Sequence, residues 1–148
     1  MNPCPICAIP QDAGFFDESN ITEAPQLGQE KVLARYELHR EYCGILMYFA
    51  QFTDRFAGQP SEVQTPGYQW QIRCNRQPRA PYLSFGHIIN PWGLSGFPLY
   101  LRLEEGCILE LVVRRVGDDQ GKTLTTVGGR ILGRTWYNPV HGGAPNRL

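Results

Sequence analysis

Lysine is almost missing from this chain: of its 14 basic residues, 12 are Arg and 2 are Lys. An equal number of acidic residues, 14, leaves no net charge, so the diffuse positive field needed for unspecific nucleic-acid or acidic-membrane binding is absent. Neither partner is expected. Long apolar runs are missing too. None approaches the roughly 18 residues of a spanning helix, and the opening MNPCPICAIP has neither the basic region nor the apolar stretch of a signal peptide. The expectation is a chain in solution without an export signal.

Catalytic sets are equally scarce. The histidines are three, His39, His87 and His141, and none is spaced with another His or a carboxylate in a ligand motif. Ser19, Ser61, Ser84 and Ser95 lie in no Gly-x-Ser-x-Gly elbow. Glu104 and Glu105 are adjacent, so on a strand they point to opposite faces and cannot flank one bond; they read as a solvated turn. Gly128-Gly129-Arg130 lacks the helix and the Lys-Ser or Lys-Thr pair of a P-loop. No enzyme is expected.

Cysteine is present in odd number: Cys4, Cys7, Cys43, Cys74 and Cys107. Without a secretory signal the thiols are expected to stay reduced. Cys4-Pro-Ile-Cys7 alone has metal-ligand spacing, because two thiolates two residues apart grip one tetrahedral zinc from a single turn. It is half a site: His39, His87, His141 or a second subunit would have to complete it, and no cofactor is otherwise expected. Cys43, Cys74 and Cys107 read as small apolar core residues.

What the chain does have is material for a core and for turns. Apolar residues make up 42% of 148, enough for one domain without disulfides or metal. With Gly 16 and Pro 12, the composition suits short strands joined by tight turns. Residues 1–28 carry Pro3, Pro5, Pro10 and Pro25 and no sustained period, which reads as an extended arm. Its apolar residues, including Phe15 and Phe16, are too many for a solvated tail, so the arm should lie against its own domain or a neighbour. Residues 138–148 read as an irregular tail.

Strand signals fill residues 29–137. Tyr68, Trp70, Ile72 and Cys74 alternate with Gln69, Gln71, Arg73 and Asn75 as in a half-buried strand. Gly44 to Phe52 is nearly continuously apolar, as in a central strand. Phe97–Leu103, the Glu104-Glu105-Gly106 turn and Cys107–Arg115 read as a hairpin, with Cys107, Leu109, Leu111 and Val113 on the core face. Thr123–Val127 and Arg130–Tyr137 follow, with a bulge or bend expected at Gly128-Gly129. Gln29–Tyr42 fits helix and strand alike, and strand is preferred because its surroundings are β. Sequential strands without a βαβ rhythm give an all-β fold, an antiparallel sandwich or jelly roll.

Trp70 lies on an apolar strand face, whereas Trp92, Trp136 and Tyr137 lie near loops and are candidates for a ligand-stacking surface. Arginine favours planar, multi-donor contacts, which makes Arg73, Arg76, Arg79, Arg114, Arg115, Arg130 and Arg134, with Phe15 and Phe16, candidates for contacts between chains.

The Pro-rich N-terminal arm, the Leu-Arg-Leu-Glu-Glu-Gly-Cys-Ile-Leu-Glu-Leu segment and the closing Gly-Gly-Arg-Ile-Leu-Gly-Arg-Thr-Trp-Tyr-Asn resemble small β-sandwich virion proteins of tailed bacteriophages, by style of sequence over residues 97–138. The resemblance implies a non-enzymatic capsid cement or decoration protein, or another head-tail or tail component. It would assemble in the host cytoplasm, as a trimer or other homo-oligomer, on a major capsid or other virion protein. A carbohydrate-binding module using Trp92, Trp136 and Tyr137 is the alternative.

Overall fold

The computed structural model describes residues 9–53, 62–79, 87–89 and 97–138. Cys4, Cys7, Trp92 and His141 lie outside the described residues. Among these residues there are ten strands and no helix: β1 (Gly14–Glu23), β2 (Glu30–Glu37), β3 (Tyr42–Thr53), β4 (Glu62–Gln64), β5 (Tyr68–Cys74), β6 (Gln77–Pro78), β7 (His87–Ile89), β8 (Phe97–Leu103), β9 (Ile108–Arg115) and β10 (Thr126–Tyr137).

Eight of them build two four-stranded sheets, in the orders β1-β10-β3-β8 and β2-β9-β5-β6, and β4 pairs with β7 separately. Every pairing is antiparallel. The first of the eight pairs with the last, the second with the last but one, the third with β8 and β5 with β6. This nesting is that of a long hairpin rolled up on itself, and the fold is a jelly-roll β-sandwich.

The rolled topology corrects the expected hairpin at residues 97–115. The turn itself forms, with Cys107 N–H donating to the Glu104 carbonyl over 3.1 Å and Gly106 in the left-handed region at φ +72°. The strands either side of it, however, join different sheets: β8 pairs with β3 and β9 with β2 and β5. Alternation had identified which side chains face the core, and both strands do face the same core, from opposite sides.

Between the sheets lie Phe16, Leu33, Leu38, Leu46, Phe49, Tyr68, Trp70, Ile72, Leu103, Leu109, Leu111, Val113, Val127 and Ile131, all buried. Polar atoms that enter with the aromatics are satisfied: Trp70 Nε1–H donates to Thr65 Oγ1 at 3.0 Å, and Tyr68 Oη accepts from Leu124 N–H at 3.3 Å. The last contact pins residue 124 in a loop, so β10 starts at Thr126 and not at Thr123.

β10 runs unbroken through Gly128-Gly129, so no bend occurs there. The register shift along β10 comes at Leu132/Gly133. The glycines answer to close approach instead: a Cβ at Gly129 would lie 2.8 Å from Leu33 Cβ and 2.7 Å from Leu111 Cδ2 of the facing sheet, and one at Gly133 would collide with the Ile45 carbonyl and with Phe16. A side chain at Gly129 would push the layers apart, and one at Gly133 would displace the neighbouring strand β3 and the Phe16 ring within its own sheet.

Residues 14–23 of the N-terminal stretch are β1, in a continuous ladder from Gly14↔Thr135 to Glu23↔Thr126. What they lie against is therefore the chain's own sheet. Phe16 points inward and stacks on Tyr36 of β2, with centroids 4.3 Å apart and planes 7° off parallel, which closes the seam between the sheets along β1 and β2.

Candidate interaction face

The sandwich has two outward faces, and their chemistry differs. On the β1-β10-β3-β8 sheet, the register sets Phe15 beside Arg134 and Ile45, Asp17 beside Leu132 and Tyr48, Ser19 beside Arg130 and Ala50, and Ile21 beside Gly128 and Phe52. These residues lie on the side of the sheet opposite Phe16, Leu46 and Ile131, which point inward. Phe15 is 69% exposed, Ile21 64%, Phe52 38% and Tyr100 42%. The glycine at 128 lets Ile21 and Phe52 come together, for a Cβ there would lie 3.1 Å from Ile21 Cγ1 and 3.2 Å from Phe52 Cδ2. The result is an apolar strip across three strands.

Two arginines stand on the same face, in other rows. Arg134 sits over the Phe15 ring, 4.6 Å from its centroid, and donates to the Ala13 carbonyl at 2.7 Å. Arg130 grips Asp17 with Nε and Nη2 at 2.7 and 2.6 Å. That fork holds the Asp17 carboxyl below its ordinary value, chiefly through the hydrogen bond, with burial opposing.

The outward face of the β2-β9-β5-β6 sheet is charged and ties itself together. Arg73 of β5 reaches past the central strand to Glu30 of β2 with two hydrogen bonds of 3.0 Å, while its Nε donates to Gln71 Oε1 at 2.8 Å. Val112 and Gln71, outward in register, are buried on this face. The hydrogen bonds from Arg73 hold Glu30 below the ordinary carboxylate value, against the smaller effect of burial. Arg35 lies 3.9 Å from Glu110 and 3.7 Å from Glu37.

At one end of the sandwich, Leu27, Gly28, Gln29, Glu30, Arg114, Arg115 and Val116 line an open groove of about 480 Å³. Below it Arg115 pairs with the buried Asp119 at 3.2 Å. Asp119 also accepts from the Thr123 hydroxyl and from Gly121 N–H, and these contacts, the Thr123 bond first, lower its pKa.

The residues singled out as contact candidates therefore fall into groups. Phe15 is on the surface, but Phe16 is core, because a strand turns neighbours to opposite faces. Arg73, Arg115, Arg130 and Arg134 are engaged by partners within the chain, and Arg79 lies beside Cys74. Arg76 is exposed in a turn at φ 68°, and Arg114 is half-buried beside Glu30. Of the stacking candidates, Trp136 faces outward opposite Cys43 and is half-buried, while Tyr137, 59% exposed, turns to the other side and meets Tyr42 edge-on at 5.7 Å. The two rings do not share a platform. Reading the sequence counted Ile21 among the apolar residues of the arm but missed Phe52 and Tyr100; alternation within β3 would have signalled Phe52 had the strand not been apolar on both faces.

Among the described residues no three His, Cys, Asp or Glu side chains gather as a metal site, and no helix is long and apolar enough to cross a membrane. No protein-family model, no curated protein and no solved structure matches the chain.

Proposed function

We propose that the chain is a non-enzymatic structural subunit of a virion, a capsid cement or decoration protein that works by contacts between chains. The observation that carries this reading is a difference of degree between the two outward faces: both carry ion pairs, but the β2-β9-β5-β6 face exposes Val32 alone among its large apolar residues whereas the other presents Phe15, Ile21, Phe52 and Tyr100. Exposed apolar residues gathered on one face are the mark of a surface awaiting a partner. The jelly roll supports the reading, since capsid proteins use it, and so do lectins and cupins. The partners are further copies of the chain, in a trimer or other closed ring, and a major capsid or other virion protein.

Light scattering on the purified protein and on an Ile21→Asp, Phe52→Asp double variant tests the face. The parent should form a defined oligomer and the variant a folded monomer; a parent that stays monomeric at high concentration overturns the self-association. Mass spectrometry of purified particles of the virus carrying the gene tests the virion role, and absence of the chain from them overturns it.

A further inference from the structure

Cys74 ends β5 and Cys107 immediately precedes β9, and the register brings them together. Cys74 stands opposite Leu109, so Cys107 is its diagonal neighbour on the same, inward face. The backbone fixes this corner on both sides: Asn75 N–H donates to the Ile108 carbonyl at 2.9 Å, and Ile108 N–H donates to Asn75 Oδ1 at 2.9 Å. Both thiols are buried in the core cluster and hydrogen-bond to each other. Cys74 is followed by the exposed Asn75-Arg76 turn and Cys107 is preceded by the exposed Glu104-Glu105-Gly106 turn, so both sit at the same end of the sandwich.

We propose that Cys74 and Cys107 are a redox pair that closes to an intramolecular disulfide when the protein meets a peroxide. The electrostatics favour Cys74 as the attacking sulfur. The hydrogen bond from Cys107 outweighs burial and, helped by the Arg79 guanidinium against Glu104, holds Cys74 below the ordinary thiol value. Cys107 is pushed above the ordinary thiol value by that bond and by burial, and keeps its proton. The Cys74 thiolate attacks one oxygen of hydrogen peroxide; the O–O bond breaks, and the departing hydroxide takes up a proton to become water. Cys74 is left as a sulfenic acid. The Cys107 sulfur then attacks the Cys74 sulfur, the S–O bond breaks, and the hydroxyl leaves as a second water with the Cys107 proton. Two thiols are oxidised and one peroxide is reduced to two waters. Cys43 offers a contrast within the same molecule: burial raises its pKa despite a hydrogen bond from Asn138, and it stays a thiol.

The inference is independent of any assembly role. Peroxide treatment of the full chain, alkylation of remaining thiols and trypsin digestion without reductant should give the peptide 74–76 joined to the peptide 103–114, with Cys43 alkylated. The cross-link ties β5 to β9 across a long loop and should raise Tm by about 10 °C, and Cys107→Ser should lose both the joined peptide and the shift. Recovery of the two peptides separately, each carrying an alkylated cysteine, overturns the proposal, as does Cys107 joined to a different cysteine.

Discussion

The two sheets share one core and differ on their outer sides. Outside β5 and β9, charge is used inwardly: Arg73 crosses the sheet to Glu30 and shelters Val112. Outside β1, β10 and β3, the ion pair of Arg130 and Asp17 runs diagonally across the two middle rows and leaves Phe15 exposed in the row on one side and Ile21 and Phe52 in the row on the other. If the apolar outer face is the contact surface proposed above, a substitution there should disturb association without stability, and one on the charged face the reverse.

The largest effect should come from neighbours on β1 that point opposite ways. Phe16→Ala opens the seam with Tyr36 and should cost about 3–5 kcal/mol in denaturant unfolding, whereas Phe15→Ala should leave stability within about 0.5 kcal/mol and weaken self-association. Gly129→Val drives a side chain into Leu33 and Leu111 and should cost about 1–3 kcal/mol by the same measurement. Arg73→Ala on the charged face should cost about 1 kcal/mol, since Glu30 is half exposed and the pair is partly screened, with the oligomer unchanged. The pH dependence is smaller. Asp17 and Glu30 are both held below their unfolded values of 3.8 and 4.5, so their stabilisation is present above those values and fades as pH falls through the folded ones. Asp17→Asn and Glu30→Gln should each flatten the acid side of a Tm-against-pH curve.

Much of this fold was legible in the sequence, for a definite reason. Alternation identified the inward residues of β5 and β9 correctly, although Gln71 and Val112 on their outer side are buried as well. Partner choice was not legible, because period 2 says which way a side chain points and nothing about which strand lies beside it; β8 and β9 show the same alternation as a hairpin while belonging to opposite sheets. In β1, Glu18 and Asn20 share the inward side with Phe16 at an exposed sheet edge, so the pattern is diluted and the strand read as an arm. The apolar outer strip was hidden for a related reason: β3 is buried on its inner side and half covered on the outer, and Phe52 looked like one more core residue.

The clamp between Asp17 and Arg130 joins positions 113 residues apart in sequence. On the ribosome, the opening strand has no neighbour to zip onto until the closing one emerges, and its aromatic side chains wait in the meantime among chaperones and other nascent chains. The first ladder of the sheet thus waits for the last strand of the sandwich, and any slowing of translation across the residues between them lengthens the interval in which the incomplete product is prone to aggregate.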